Sequence, residues 1–340
     1  MFFNLYDNQT ETMSAVELHG GLTLQFKGQT PSSNAPLKVV WPIIEADVLR
    51  CLPTLVGREP LPCSWSFSAP SSPPSTWSES LILLGLPDFR VVDFCEFKHD
   101  ENEPLGLLLG VGGPALQGLN EARFAPQSSL STKAQLTLGE AVSDFHGAIL
   151  RFALLSAKPR ELADELDRSK LERCAGRLGY FYGTLRRASH FLEAMPRPLH
   201  GQPPKAAFIS SLKDEVVAAL LDGLNTQKAL ALMSEAFVTI NELLGTKKVS
   251  RRPSAAIALE QILAIITALD SVFGLFSERP DIFLRGHRAQ TAKRRGLDEN
   301  DINLLIAERI AARTGRDWAR ADQIANELGA LGIVLMDRDC

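Results

Sequence analysis

The residues most able to do chemistry in this sequence are two groups of cations and one imidazole–carboxylate pair. Lys247 and Lys248 with Arg251 and Arg252 form the first group; Arg285, Arg288, Lys293, Arg294 and Arg295 form the second. Cations gathered in this way neutralise phosphates, a contact that ignores base sequence and weakens with salt. A solvated, charged loop is the plainer alternative for each. His99 and Glu103 stand four residues apart, so one side of a helical turn would carry both, and both are zinc-ligand types. A solvated His/Glu pair is the alternative there. The run Gly110-Val-Gly-Gly-Pro-Ala115 has neither the Gly-Lys-Ser/Thr ending of a phosphate loop nor a dinucleotide fingerprint, and reads as a turn. His146, His190, His200 and His287 have no Ser, Asp or Cys partner at a recognisable triad spacing.

The whole chain limits what these groups can mean. Its 340 residues suggest two domains, and 45% hydrophobic with 22% charged residues allow a normal core. A net charge of −4 gives no global positive field, so any nucleic-acid contact must be local. The longest apolar stretches, residues 81–86 and 105–109, fall far short of the roughly 20 residues of a membrane span, and residues 1–7 do not read as a secretory signal. Five scattered cysteines with no Cys-x-x-Cys pair imply a reducing, cytoplasmic setting rather than a disulfide framework.

The elements that must position these residues change character near residue 135. Before it, short apolar runs at residues 37–41, 81–84 and 90–94 read as buried strands of an α/β layer, and the Ser- and Pro-rich residues 64–80 as a loop. After it, apolar residues recur every three or four places over residues 138–155, 166–192, 208–221, 226–244, 255–276 and 301–314, the period of packed helices. Asn225 or Thr226 is placed to cap the helix after Leu224, with Asp222 beside its start. Residues 285–296 read as a basic, Gly-containing link to a small last module ending in a strand-like 332–336. The expected domains are therefore residues 1–135, 136–284 and 297–340.

Three blocks in this helical half resemble the cysteinyl-tRNA synthetases. Ile149-Leu-Arg-Phe-Ala-Leu-Leu-Ser156 and the following helix resemble the segment that leaves that family's catalytic domain. Residues 220–232, with Ile240-Asn241-Glu242, are similar to its "DDxNTPxAL…N" signature. Residues 302–313, Arg316-Asp-Trp-Ala-Arg-Ala-Asp322, Glu327-Leu328 and residues 332–337 resemble its anticodon-side helix pair and closing strand. The resemblance implies an α/β fold followed by an all-α one: a reduced class I, Rossmann-like nucleotide-binding domain, a helical bundle and an anticodon-side module. It also implies tRNA, or another RNA, as partner to both basic clusters. Arg316 or Trp318 would then contact an anticodon base, although the stripe continued by Ile324 and Leu328 makes core packing the simpler role for Trp318.

The front half departs from the family. Adenylation builds negative charge at a phosphate, which the family's His-x-Gly-His turn and paired-lysine loop stabilise. Here His19-Gly20-Gly21 lacks the second histidine, and Ser128-Ser-Leu-Ser-Thr-Lys-Ala134 keeps one lysine, Lys133. Phe97-Lys-His-Asp-Glu-Asn-Glu103 resembles the family's zinc-binding "FPHHENE", which assigns His99 and Glu103 as ligands. Of the family's two cysteine ligands one position is Val39-Val-Trp-Pro42 here, and Cys63 stands displaced from the other. The expectation is a shortened synthetase-like protein that acts through tRNA, RNA or a protein partner without full aminoacylation. The alternatives are an ATP-dependent ligase activating cysteine for tRNA or a small amine, and a purely structural interaction protein. ATP and zinc are cofactors only as far as the resemblance implies them.

Overall fold

The computed structural model describes residues 2–7, 12–17, 22–28, 37–60, 63–67, 106–111, 136–157, 166–196, 207–246, 248, 252–331 and 333. Two compact units emerge, residues 1–284 and residues 285–340.

In the first unit, β1 (Phe2–Asp7) and β2 (Thr12–Glu17) pair antiparallel, Phe2 opposite Glu17. β3 (Leu22–Gly28) is the centre of a mixed sheet, parallel to β4 (Cys63–Phe67) and antiparallel to β5 (Gly106–Val111). The presence of β4 corrects the reading of residues 64–80 as loop throughout. Trp65 and Phe67 alternate with Ser64 and Ser66, the two-residue period of a strand.

Residues 37–41 correct a second expectation, because they are helical and not a strand. A 3₁₀ turn, Leu37–Val40, leads into α1 (Trp41–Cys51), with Pro42 in its first turn, where the missing N–H costs nothing. A five-residue window hid the period. Leu37, Val40, Trp41, Ile44, Val48, Leu49, Leu52 and Leu55 recur at three- and four-residue intervals and are all buried. The strands expected at residues 81–84 and 90–94 lie outside the described residues, as does 334–336.

The bundle is α2 (Leu138–Asp144), α3 (Gly147–Leu155), α4 (Arg168–Glu193), α5 (Ala207–Leu221), α6 (Thr226–Leu244) and α7 (Arg252–Phe273). Caps set the helix starts. Thr137 and Glu140 form a reciprocal capping box on α2. His146 breaks the 138–155 run in two by capping α3, its Nδ1 accepting from Ala148 N at 3.2 Å. Asn225 caps α6 by accepting from Lys228 N at 3.0 Å, while Thr226 donates to Leu155 O at 2.7 Å and ties α6 to α3. By length and composition α7 could cross a membrane, yet its buried face packs against α1, α4, α5 and α6.

Two features lock the core. Phe181 of α4 stacks on Phe237 of α6, with ring centroids 4.2 Å apart. Arg151 of α3 is 1% exposed; it donates from Nη2 to Asp47 of α1 at 2.6 Å and from Nε to Phe273 O at 2.5 Å. Its guanidinium thus satisfies both a buried carboxylate and the carbonyl end of α7, which stops at Gly274 in a left-handed conformation (φ +59°).

The basic link expected at residues 285–296 is largely helical instead: α8 runs Pro280–Arg294, and the unit boundary falls within it. Apolar periodicity misses it because Phe283 is its only buried side chain among the described residues. The second unit continues with α9 (Glu299–Thr314) and α10 (Trp318–Ala330), packed as a hairpin.

Candidate nucleic-acid interface

The turn between α9 and α10 is built to face outward. At the end of α9, Arg316 N bonds to Arg313 O at 3.1 Å and Asp317 N to Ala312 O at 2.8 Å, the paired bonds of a Schellman ending. That ending needs a left-handed residue, and the chain places Arg316 there at φ +60°, where glycine is the usual choice. Asp317 then caps α10, accepting from Arg320 N at 3.1 Å. Arg320 donates from Nε and Nη2 to Glu308 of α9 at 2.9 and 2.7 Å, and clamps the two helices. The hydrogen bonds it donates to Glu308, with the charges of Glu308, Glu327 and Asp317, hold this guanidinium above its ordinary range.

Trp318 is 58% exposed, which overturns its assignment to the core. The buried stripe of α10 is Ala321, Ile324 and Leu328. At about 100° per residue, Trp318 lies roughly 90° around the helix from the centre of that stripe. Arg316 and Trp318 therefore flank one turn, a guanidinium and an indole both open to a ligand.

The second basic cluster is arranged differently. Arg288 and Lys293 are exposed on α8. Arg294 donates to Thr291 Oγ1 at 3.0 Å, and Arg295 to Leu331 O at 3.2 Å, beyond the end of α10. Cations in the last turn of a helix also complement its dipole, so Lys293 and Arg294 serve the helix as well as any ligand. Leu331 and Trp318 are at opposite ends of α10, about 20 Å apart by helical rise, so the structure does not bring Arg295 to the Arg316–Trp318 turn. In the first cluster Lys248 is exposed, and Arg252 is exposed at the first residue of α7, where the dipole opposes a cation. Lys247 and Arg251 lie outside the described residues. Another set of cations is invisible to a search for charge runs, because helical spacing separates Lys170, Arg173, Arg177 and Arg187 along α4.

The catalytic and zinc expectations fall on residues that the described geometry does not reach. Lys133, His99 and Glu103 lie outside the described residues, and Cys63 is described only as part of β4. Among the described residues no group of three or more His, Cys, Asp or Glu could hold a metal ion. His99, Glu103 and a displaced Cys63 fall short of the four ligands a closed zinc site requires. The described cysteines Cys51 and Cys174 are buried free thiols; burial pushes both up, Cys51 to about 11, so neither is a thiolate nucleophile at neutral pH.

Comparison with known proteins accounts for this arrangement. Residues 295–340 match the family model of the cysteinyl-tRNA ligase anticodon binding domain. The cysteine–tRNA ligase of Anaeromyxobacter dehalogenans is 34% identical over 201 residues, 59% of this chain and 40% of that protein. That of Syntrophotalea carbinolica is 30% identical over 245 residues, 71% of this chain and 50% of that protein. A chloroplastic/mitochondrial cysteine–tRNA ligase of Arabidopsis thaliana is 29% identical over 204 residues, 59% of this chain and 36% of that protein. The chain thus spans about two fifths to half the length of these relatives. Residues 295–340 thus match the anticodon-binding domain of the cysteinyl-tRNA ligases, and well over half of the sequence is similar to proteins of that family.

Proposed function

We propose that this chain binds tRNA through its C-terminal unit, as a synthetase-like protein without full aminoacylation activity of its own. One coincidence carries the reading: the residues matched by the anticodon-binding family model contain the turn that exposes Arg316 and Trp318. An exposed indole beside a guanidinium suits an unpaired, splayed-out base, which is what an anticodon loop offers. Arg288, Lys293, Arg294 and Arg295, with Lys247, Lys248, Arg251 and Arg252 of the bundle, would add phosphate contacts. The sequence holds no His-x-Gly-His turn, and the position of the paired-lysine loop keeps only Lys133, which favours binding over adenylation. The N-terminal sheet would be a reduced remnant of a class I nucleotide-binding domain, and the buried free thiols fit a reducing, cytoplasmic compartment.

Filter binding of an in vitro transcribed cysteine tRNA at several salt concentrations tests this. Trp318→Ala should weaken binding by about 1–3 kcal/mol, the usual worth of one base–aromatic stack. Absence of salt-dependent affinity in the unaltered chain would remove the reading. Cysteine-dependent ATP–pyrophosphate exchange above background would replace it with the cysteine-activating ligase.

A further inference from the structure

We propose that one band of side chains along α4 is a second RNA-contact surface, formed by Lys170, Arg173, Arg177 and Arg187 with Tyr180 between them. It rests on the reading that the chain binds RNA, but involves none of the residues of the C-terminal unit.

The cations of α4 fall into two sets. Arg168 pairs with Asp144 at 2.5 Å and Arg186 with Asp281 at 3.8 Å; these two arginines are 18 residues, five turns, apart and share one face. Lys170, Arg173 and Arg177 lie about 140–180° around the helix from that face and Arg187 about 100°, and together they form a band about 25 Å long by helical rise. Among the described residues none of these four is in an ion pair. Their partners are neutral. Arg173 donates to Ser169 Oγ at 2.7 Å, Arg177 lies over the Phe181 ring at 5.6 Å, and Arg187 donates to Thr184 Oγ1 and to Asn241 Oδ1 of α6. The helix's own carboxylates, Glu172 and Glu193, project at least about 100° away from Lys170, Arg173 and Arg177. In a chain of net charge −4 this is a row of cations that makes no ion pair among the described residues, Asp167 at its start being engaged as the helix cap on Lys170 N.

Tyr180 makes the row more than an anion surface. It is 45% exposed, and Asn241 Nδ2 donates to its hydroxyl at 2.6 Å while also donating to Phe237 O at 2.9 Å. The ring is thus held at the surface from α6, with Arg177 one turn before it and Arg187 two turns after. Cations at helical spacing around a fixed aromatic ring match a phosphodiester backbone carrying an unpaired, stackable base. The carboxylates of an acidic polypeptide offer charge but no ring joined to each charge for the tyrosine to stack on.

The test uses the full chain with two probes: the cysteine tRNA transcript, and a stem–loop RNA made from its acceptor and T arms, which has no anticodon. The unaltered chain should bind both. Arg173→Ala with Arg177→Ala should weaken both about tenfold or more and lower the salt slope by about 2. Tyr180→Ala should weaken both, whereas Tyr180→Phe keeps the ring and should not. Arg168→Ala with Arg186→Ala removes the same charge from the ion-paired face and should leave binding unchanged. Equal loss in that control, equal competition by poly-glutamate, or unaltered binding by the Arg173/Arg177 variant would overturn the proposal. If tRNA binding depends on Trp318 while the stem–loop RNA does not bind, the α4 surface fails and the anticodon reading stands. If neither RNA binds, the anticodon reading fails as well. The altered side chains are exposed, or partly exposed in the case of Arg186, so an unchanged urea midpoint separates lost contact from lost fold.

Discussion

In the bundle, aromatic rings are stacked and enclosed: Phe181 on Phe237, and Tyr182 on Phe283 with centroids 3.8 Å apart, all buried. Even a guanidinium, that of Arg151, is shut inside with its carboxylate. In the C-terminal unit, Ala321, Ile324 and Leu328 are the buried apolar side chains among the described residues, while Leu304, Ile310 and Trp318 are each more than half exposed. The chain therefore encloses a large apolar core and a buried ion pair in one region, where Tyr180 and the cations of α4 stay at the surface, and in the other leaves most of its large apolar side chains facing outward. Burial on this scale makes the bundle a scaffold, whereas the C-terminal hairpin relies on caps and one surface clamp to hold a shape that a ligand can use.

The largest effect that should separate the two regions comes from their arginines. Arg151→Met removes a buried charge from Asp47 and the end cap from α7, and should cost about 3–5 kcal/mol in urea denaturation followed by circular dichroism. Arg320→Met breaks the Arg320–Glu308 clamp, which is solvent-screened, and should shift the transition far less. Equal shifts from the two substitutions would erase the contrast. Gly274→Ala sharpens it. A Cβ at φ +59° would come within 3.2 Å of Arg151 Nε, so strain and a disturbed cap should add to about 1–2 kcal/mol in the same assay.

A smaller effect is read as a pH slope. Burial raises the carboxyl of Glu45 on α1 well above its usual range, and its Oε2 has no hydrogen-bond partner among the described residues. Burial also raises Asp270, which accepts from the backbone N–H groups of Leu275 and Phe276 and so folds the chain back after α7. A raised carboxyl holds its proton in the folded state where the unfolded chain has lost it. Its contribution is therefore complete below the ordinary carboxyl range and lost as pH rises through the folded value. Between about pH 4 and about pH 8, Glu45→Gln should flatten the decline of the urea midpoint and raise the midpoint at the upper end. An unchanged slope would show that Glu45 ionises in the folded protein.

How legible all this is in the sequence depends on the length over which a pattern repeats. The 226–244 helix is readable to the residue, because Asn225 caps it and its apolar stripe spans five turns. Residues 37–41 mislead, because four apolar positions out of five fit a strand until Ile44, Val48 and Leu49 extend the count. The buried Arg151–Asp47 pair is not readable at all, since 104 residues separate its partners. At the candidate site, Arg316 and Trp318 stand out by residue type, but the exposure of Trp318 depends on where α10 begins. The row on α4 is hidden for a related reason: its charges are adjacent only once the helix has wound them together.

The smallest predicted effect is the one that ties conformation to ligand in the C-terminal unit. Arg316 holds a left-handed backbone that costs an ordinary residue about 1 kcal/mol, and the Schellman bonds at the end of α9 require it. Glycine is free of that cost. If Arg316 is there for stability alone, Arg316→Gly should leave RNA binding intact. If it is there to present a guanidinium beside Trp318, the substitution should raise the urea midpoint, by about 1 kcal/mol, and weaken tRNA binding at the same time. Strain retained at an exposed position is explained by what the side chain touches there. A variant both less stable and unimpaired in binding would leave the backbone of Arg316 without that explanation, and would return the contrast between the two regions to one of packing density.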